Sequence, residues 1–145
     1  MKAIKILEFD KILSMLSQLC DTEAAKSAVL QKIPADNLAE AKELQEYTIE
    51  ADKILYYFNA NPVAGFDDVA EPLLKAKKGV LLTFLELIKT ARMLKSCRHF
   101  SQTIVEIDKK IVPKFAKYAE NVYFDKELEQ EIFFADMLQG CSTSY

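Results

Sequence analysis

The stretch TFLELIKTARMLKSCRHF, residues 83–100, decides the fold. Turning about 100° per residue, a helix places Phe84, Leu87, Ile88, Ala91 and Leu94 on one arc, which is the apolar face a buried helix needs. Thr83 followed three residues later by Glu86 is a reciprocal start signal. The threonine hydroxyl accepts from the amide of the third helical residue, while the glutamate accepts from the N–H of the threonine. The spacing predicts a long helix that runs to Glu106 or beyond.

On the N-terminal side, Asn37 and Glu40 repeat the start signal before a second long helix with the stripe Leu44, Tyr47, Thr48, Ala51, Ile54, Leu55 and Phe58. Residues 59–65 read as a loop, and a short helix from Val69 to Lys77 stops at Gly79. Earlier still, Phe9, Ile12, Leu13, Leu16 and Leu19 form a first stripe. Asp21 or Thr22 caps a helix containing Ala24, Ala28 and Leu30, and Pro34 follows it. On the C-terminal side, Pro113 either opens a helix over Lys114 to Glu120 or kinks a longer one, and Asp125 caps a last helix through Phe134. Period-2 alternation hardly occurs. The reading is an all-α, multi-helix domain over residues 1–135 with two long helices. An irregular tail, 136–145, would begin the connection to domains further along a longer chain.

Half of the 145 residues are hydrophobic, enough for a single domain to bury a core. No run approaches the ~18 to 20 apolar residues of a membrane-spanning helix, and Lys2, Lys5 and Glu8 stand where a signal peptide would be apolar. The expectation is a cytoplasmic protein with no membrane partner. Cys20, Cys97 and Cys141 lack the local pairing of a zinc ribbon or disulfide framework, so no metal site is expected. The only glycines are Gly65, Gly79 and Gly140, and none opens a phosphate-binding loop. Cys97 and His99 lie two residues apart, which turns their side chains about 200° from each other and argues against a catalytic dyad. No catalytic residue and no cofactor are assigned within these residues.

Charge is unevenly spread. The net is −3 overall, but −7 over residues 36–71 and +7 over residues 72–120. Either the two segments neutralise each other in the fold, or the basic one faces a polyanion. Lys89, Arg92, Lys95 and His99 line one flank of the helix from Thr83 about a turn apart. Such a ridge suits a phosphate backbone, because each neutralised phosphate releases counterions. Its bland alternative is a solvated stripe, or a seam paired with the acidic helix over Glu40 to Asp52. Glu43, Glu46 and Glu50 on that helix read as a solvated face with local lysine pairs. Arg98 falls among Leu87, Ala91 and Leu94 on the wheel, where an unpaired charge is costly, so it needs a carboxylate or carbonyl partner and reads as half of a structural ion pair.

Leu7-Glu8-Phe9-Asp10-Lys11-Ile12-Leu13, Leu44-x-Glu46-x-Thr48-x-Glu50-Ala51, Gly65-Phe66-Asp67-Asp68-Val69 and Ala76-x-x-Gly79-x-x-Leu82-Thr83-x-x-Glu86-Leu87 follow one another along the chain. Their order resembles the N-terminal region of the MutS-two family, the second branch of bacterial MutS proteins, and the resemblance covers residues 4–135. Ala25 and Phe84 stand where the family often has glycine and proline. The resemblance implies a helical core and lever segment preceding a clamp, an ATPase domain that uses ATP and Mg, and often a nuclease domain, in a parent that works as a homodimer. It implies a role in DNA repair, restraint of recombination or ribosome rescue, with branched or double-stranded DNA or the ribosome as partner. A stand-alone helical module for protein–protein interaction is the rival reading.

Overall fold

The computed structural model describes residues 8–20, 22–63 and 65–142. Leu7 of the first motif, the alternative cap Asp21, the side chain of Cys141 and residues 143–145 lie outside what is described. Seven helices follow one another, with no strand among the described residues: α1 (Phe9–Ser17), α2 (Glu23–Leu30), α3 (Leu38–Tyr57), α4 (Ala70–Lys77), α5 (Phe84–Val105), α6 (Pro113–Asn121) and α7 (Lys126–Ser142). The chain is all-α. Two compact units divide at Asp36 and Asn37.

The first unit is a pair of short helices. α1 and α2 pack on each other, Leu13 of α1 is buried, and Thr22 caps α2 by accepting from the Ala25 amide at 3.1 Å.

In the second unit α5 is central. α4, α6 and α7 pack on it, and α3 packs on α6. Its start is the reciprocal cap read from the sequence: Glu86 N–H donates to Thr83 Oγ1 at 3.3 Å and Thr83 N–H to Glu86 Oε2 at 2.8 Å. The core joins Ile54 of α3 and Phe100 and Ile104 of α5 to Ile107, Val112, Ala116 and Ala119. Fully buried aliphatic side chains such as Ile54 and Ile104 contribute about 1.5–3 kcal/mol each, and the alanines let α6 lie close. α4 ends as its glycine requires: Gly79 has φ +71°, its N–H donates to Ala76 O, and the Val80 N–H donates to Lys75 O. Pro113 opens α6 at its first turn, so it starts a new helix and does not kink a longer one.

Two features differ from the sequence reading. α7, begun by Asp125 Oδ1 accepting from the Leu128 N–H at 3.0 Å, continues past Phe134 to Ser142, because its turns are held by their own backbone ladder. Of the α3 stripe, Ile54 is buried and Tyr47 and Ala51 are half-buried, but Leu44 and Leu55, with Phe58 just after the helix, are exposed while Glu50 is only 5% exposed, so the face turned to α6 takes in one edge of the stripe together with Glu50. The reason is a polar demand. Val112 offers no side chain to cap α6, and Glu50 Oε2 accepts from the Lys114 N–H at 2.9 Å and the Phe115 N–H at 3.1 Å.

Candidate functional site

The basic ridge is split among different neighbours. Arg92 Nε lies 3.1 Å from Asp67 Oδ2 in the loop before α4, and one turn further Ser96 donates to Gly65 O at 2.9 Å. Together these two α5 side chains seat the Gly65–Asp67 loop, whose glycine takes φ +78°. Lys89 borders a hollow of about 380 Å³ with Asp68, Glu71 and Glu86. Lys95 is exposed and adds to the positive field on Glu129, and His99 is exposed. The acid that pairs with the ridge at Arg92 therefore comes from the loop before α4, whereas Glu43, Glu46 and Glu50 of α3 turn to α6.

That second meeting is extensive. Lys114, at the start of α6, holds its ammonium 3.2 Å from Glu46 and 3.7 Å from Glu43, and 4.4 Å from the centre of the Tyr47 ring, which itself leans on Tyr118 at 5.8 Å. Burial disfavours the charged lysine, but the Glu46 and Glu43 carboxylates outweigh it and raise its pKa. Glu50 is thus a buried inter-helix contact and not part of the solvated face that the spacing suggested, while Glu43 and Glu46 stay exposed but reach across to Lys114 of α6. A signal was available in Glu43, Tyr47, Glu50 and Ile54, which recur at i, i+4, i+7 and i+11 on one face.

Arg98 forms a bidentate pair with Glu129 of α7: Nε donates to Oε2 at 2.9 Å and Nη2 to Oε1 at 2.8 Å, while Nη1 donates to Gln102 Oε1 at 3.2 Å. The guanidinium beside it holds the Glu129 carboxyl below the usual carboxylate range, against the opposing effect of burial. At the start of α5, Lys75 of α4 lies 2.6 Å from Glu86, and this ammonium, with the Thr83 N–H and hydroxyl, lowers the Glu86 pKa to about 2. Cys97 is half-buried, and burial pushes its thiol up, which disfavours the thiolate a nucleophile needs. Among the described residues no group of three or more His, Cys, Asp and Glu side chains is placed to hold a metal ion, and no helix is long and apolar enough to cross a membrane.

Relatives add what this geometry lacks. The Endonuclease MutS2 of Clostridium botulinum (strain ATCC 19397 / Type A) is 33% identical over 133 residues, 91% of this chain and 17% of the relative. The Endonuclease MutS2 of Clostridium beijerinckii is 35% identical over 132 residues, 90% of this chain and again 17% of the relative. The chain resembles the N-terminal region of MutS2. A third MutS2, from Clostridium botulinum (strain Alaska E43 / Type E3), is 30% identical over 142 residues, 93% of this chain. The chain spans about 17% of the length of these MutS2 relatives, so most of a MutS2 polypeptide lies outside the matched stretch. No family model matches the chain, and no solved structure matches it.

Proposed function

We propose that these residues are the helical N-terminal core and lever segment of a longer MutS2-type protein acting on nucleic acid, and that the segment works by packing and not by chemistry. The observation that carries this reading is the 33% identity over 91% of the chain to an endonuclease of which the stretch is only 17%. The polar side chains agree with it, since Glu50, Arg98, Lys114 and Glu129 are all spent on joining one helix to another. ATP and Mg would bind in domains beyond this segment, with those ATPase and clamp domains as its covalent partners and a second copy completing a homodimer. The work would be DNA repair, restraint of recombination or ribosome rescue in the cytoplasm. Lys89, Arg92, Lys95 and His99 would be the residues that meet phosphates of branched or double-stranded DNA, or of ribosomal RNA.

The test is made on the protein expressed from its own complete reading frame. DNA-stimulated ATP hydrolysis in the presence of Mg is expected, together with binding to branched DNA or to ribosomes. A product confined to these 145 residues that turns over no ATP would replace this reading with the second one, a stand-alone helical interaction module. That second reading is favoured by the exposure of large side chains at the end of α3, Tyr56 and Tyr57.

A further inference from the structure

The corner where α4 turns into α5 is apolar and uncovered. Leu81 is 92% exposed, Leu85, four residues on, is 61% exposed, and Val80 and Leu74 are more than half exposed. These residues sit at one end of the unit, because the Gly79 turn reverses the chain there and the Lys75–Glu86 pair, at 2.6 Å, ties the last turn of α4 to the first turn of α5. Two exposed lysines, Lys77 and Lys78, border the corner on the α4 side. A monomer gains nothing by holding several leucines in water at a rigid, capped turn, and an apolar patch rimmed by charge is the usual form of a contact surface.

Resting on the MutS2 reading above, we infer that this corner is the surface by which the segment docks on the part of the same polypeptide that lies beyond residue 145, against an apolar helix face bordered by carboxylates. Length supports that occupant, since the matched relatives carry more than four fifths of their chain outside the stretch that aligns here. Charge supports it as well, because Lys77 and Lys78 favour an acidic rim on whatever covers Leu81 and Leu85. Nucleic acid is the poorer fit, as the outermost groups are aliphatic and offer neither an aromatic platform nor a hydrogen-bond donor to a base.

The test compares amide hydrogen exchange over residues 73–85 in the 145-residue chain and in a chimera where this chain replaces the matching 133 residues of the Clostridium botulinum relative. Exchange at the corner should slow by about tenfold or more in the chimera, and the double variant Leu81→Glu/Leu85→Glu should abolish that gain. The same variant in the isolated chain should leave its circular dichroism unchanged, because neither side chain is buried. Protection gained elsewhere in the segment but not at the corner overturns the surface and leaves the MutS2 reading standing. A chimera in which no part of the segment gains protection overturns that reading too. Self-association of the isolated chain that the double variant removes would make a second copy the occupant and also overturn the inference.

Discussion

The Glu50 carboxylate accepts the Lys114 backbone N–H at 2.9 Å, and the ammonium of the same Lys114 lies 3.2 Å from Glu46, one turn before Glu50 on α3. Glu50 and Lys114 are 64 positions apart in the chain. α3 and α6 are thereby held both by the helix start of one and by the first side chain after its proline.

Glu50→Ala strips the first turn of α6 of the carboxylate that accepts its Lys114 and Phe115 amides and leaves both facing a void. Urea unfolding should show a loss of about 1–2 kcal/mol, whereas Glu50→Gln, which keeps one oxygen, should lose less than half as much. Equal losses in the two variants would mean that packing and not capping fixes the contact.

Breaking the Arg98–Glu129 pair from either side should destabilise the chain by about 2 kcal/mol, since the survivor is left charged and poorly hydrated. Arg98→Met with Glu129→Leu should recover most of that loss, giving a coupling energy above about 1 kcal/mol in a double-mutant cycle. Strictly additive effects would show that the pair contributes nothing as a pair.

Acid should find Glu86. Its folded pKa of about 2 lies below that of an unfolded glutamate, so the folded chain binds this proton less tightly and the carboxylate's contribution is fully present above about pH 4.5. It is lost as the pH falls from there towards 2. A thermal midpoint followed from pH 7 to pH 2 should therefore stay flat and then drop, and Glu86→Gln should reduce the drop. Parallel curves for both proteins would contradict this assignment of the acid sensitivity.

On the ridge, Lys95 and His99 make a cleaner test than Arg92, whose reversal would set two carboxylates against each other at Asp67 and loosen the loop. In the full-length protein, Lys95→Glu/His99→Glu should weaken binding to all DNA sequences alike and flatten the salt dependence by about one unit of slope for the lysine. The 145-residue chain, with a net charge of −3, should bind little at physiological salt. Salt curves of the variant that overlay the wild type would leave the ridge a solvated surface.

Helix identities and starts were legible because they rest on local chemistry. Thr83, Asn37, Thr22 and Asp125 each accept from an amide two or three residues inside their helix, and a reader of the chain needs only the spacing to see it. The need of Arg98 for a partner was legible too, from its place on the wheel, but Glu129 could not be named because nothing local marks a carboxylate 31 residues away. Glu50 was misread for the same reason. Surface is the default for a glutamate, and the groups that override the default belong to a helix whose docking no local pattern reveals. Lys89, Arg92, Lys95 and His99 follow one another along α5, yet the Asp67 and Ser96 contacts show that a row on a wheel takes no account of the loops that settle on it.

α5 carries, along its 22 residues, the clamp to α4 at Glu86, the loop seat at Arg92 and Ser96, the bridge to α7 at Arg98 and the Ser101 hydroxyl donated to Ala119 O of α6. These fixings point in different directions around one axle. Inserting a single residue near its middle would swing everything downstream by about 100°, so no small rotation or slide can satisfy one fixing while sparing the rest. The helix can transmit torque but has almost no freedom to absorb it. Force applied at the α4 corner should therefore reach α7 with little loss, and the second unit should respond to its surroundings by turning as one piece.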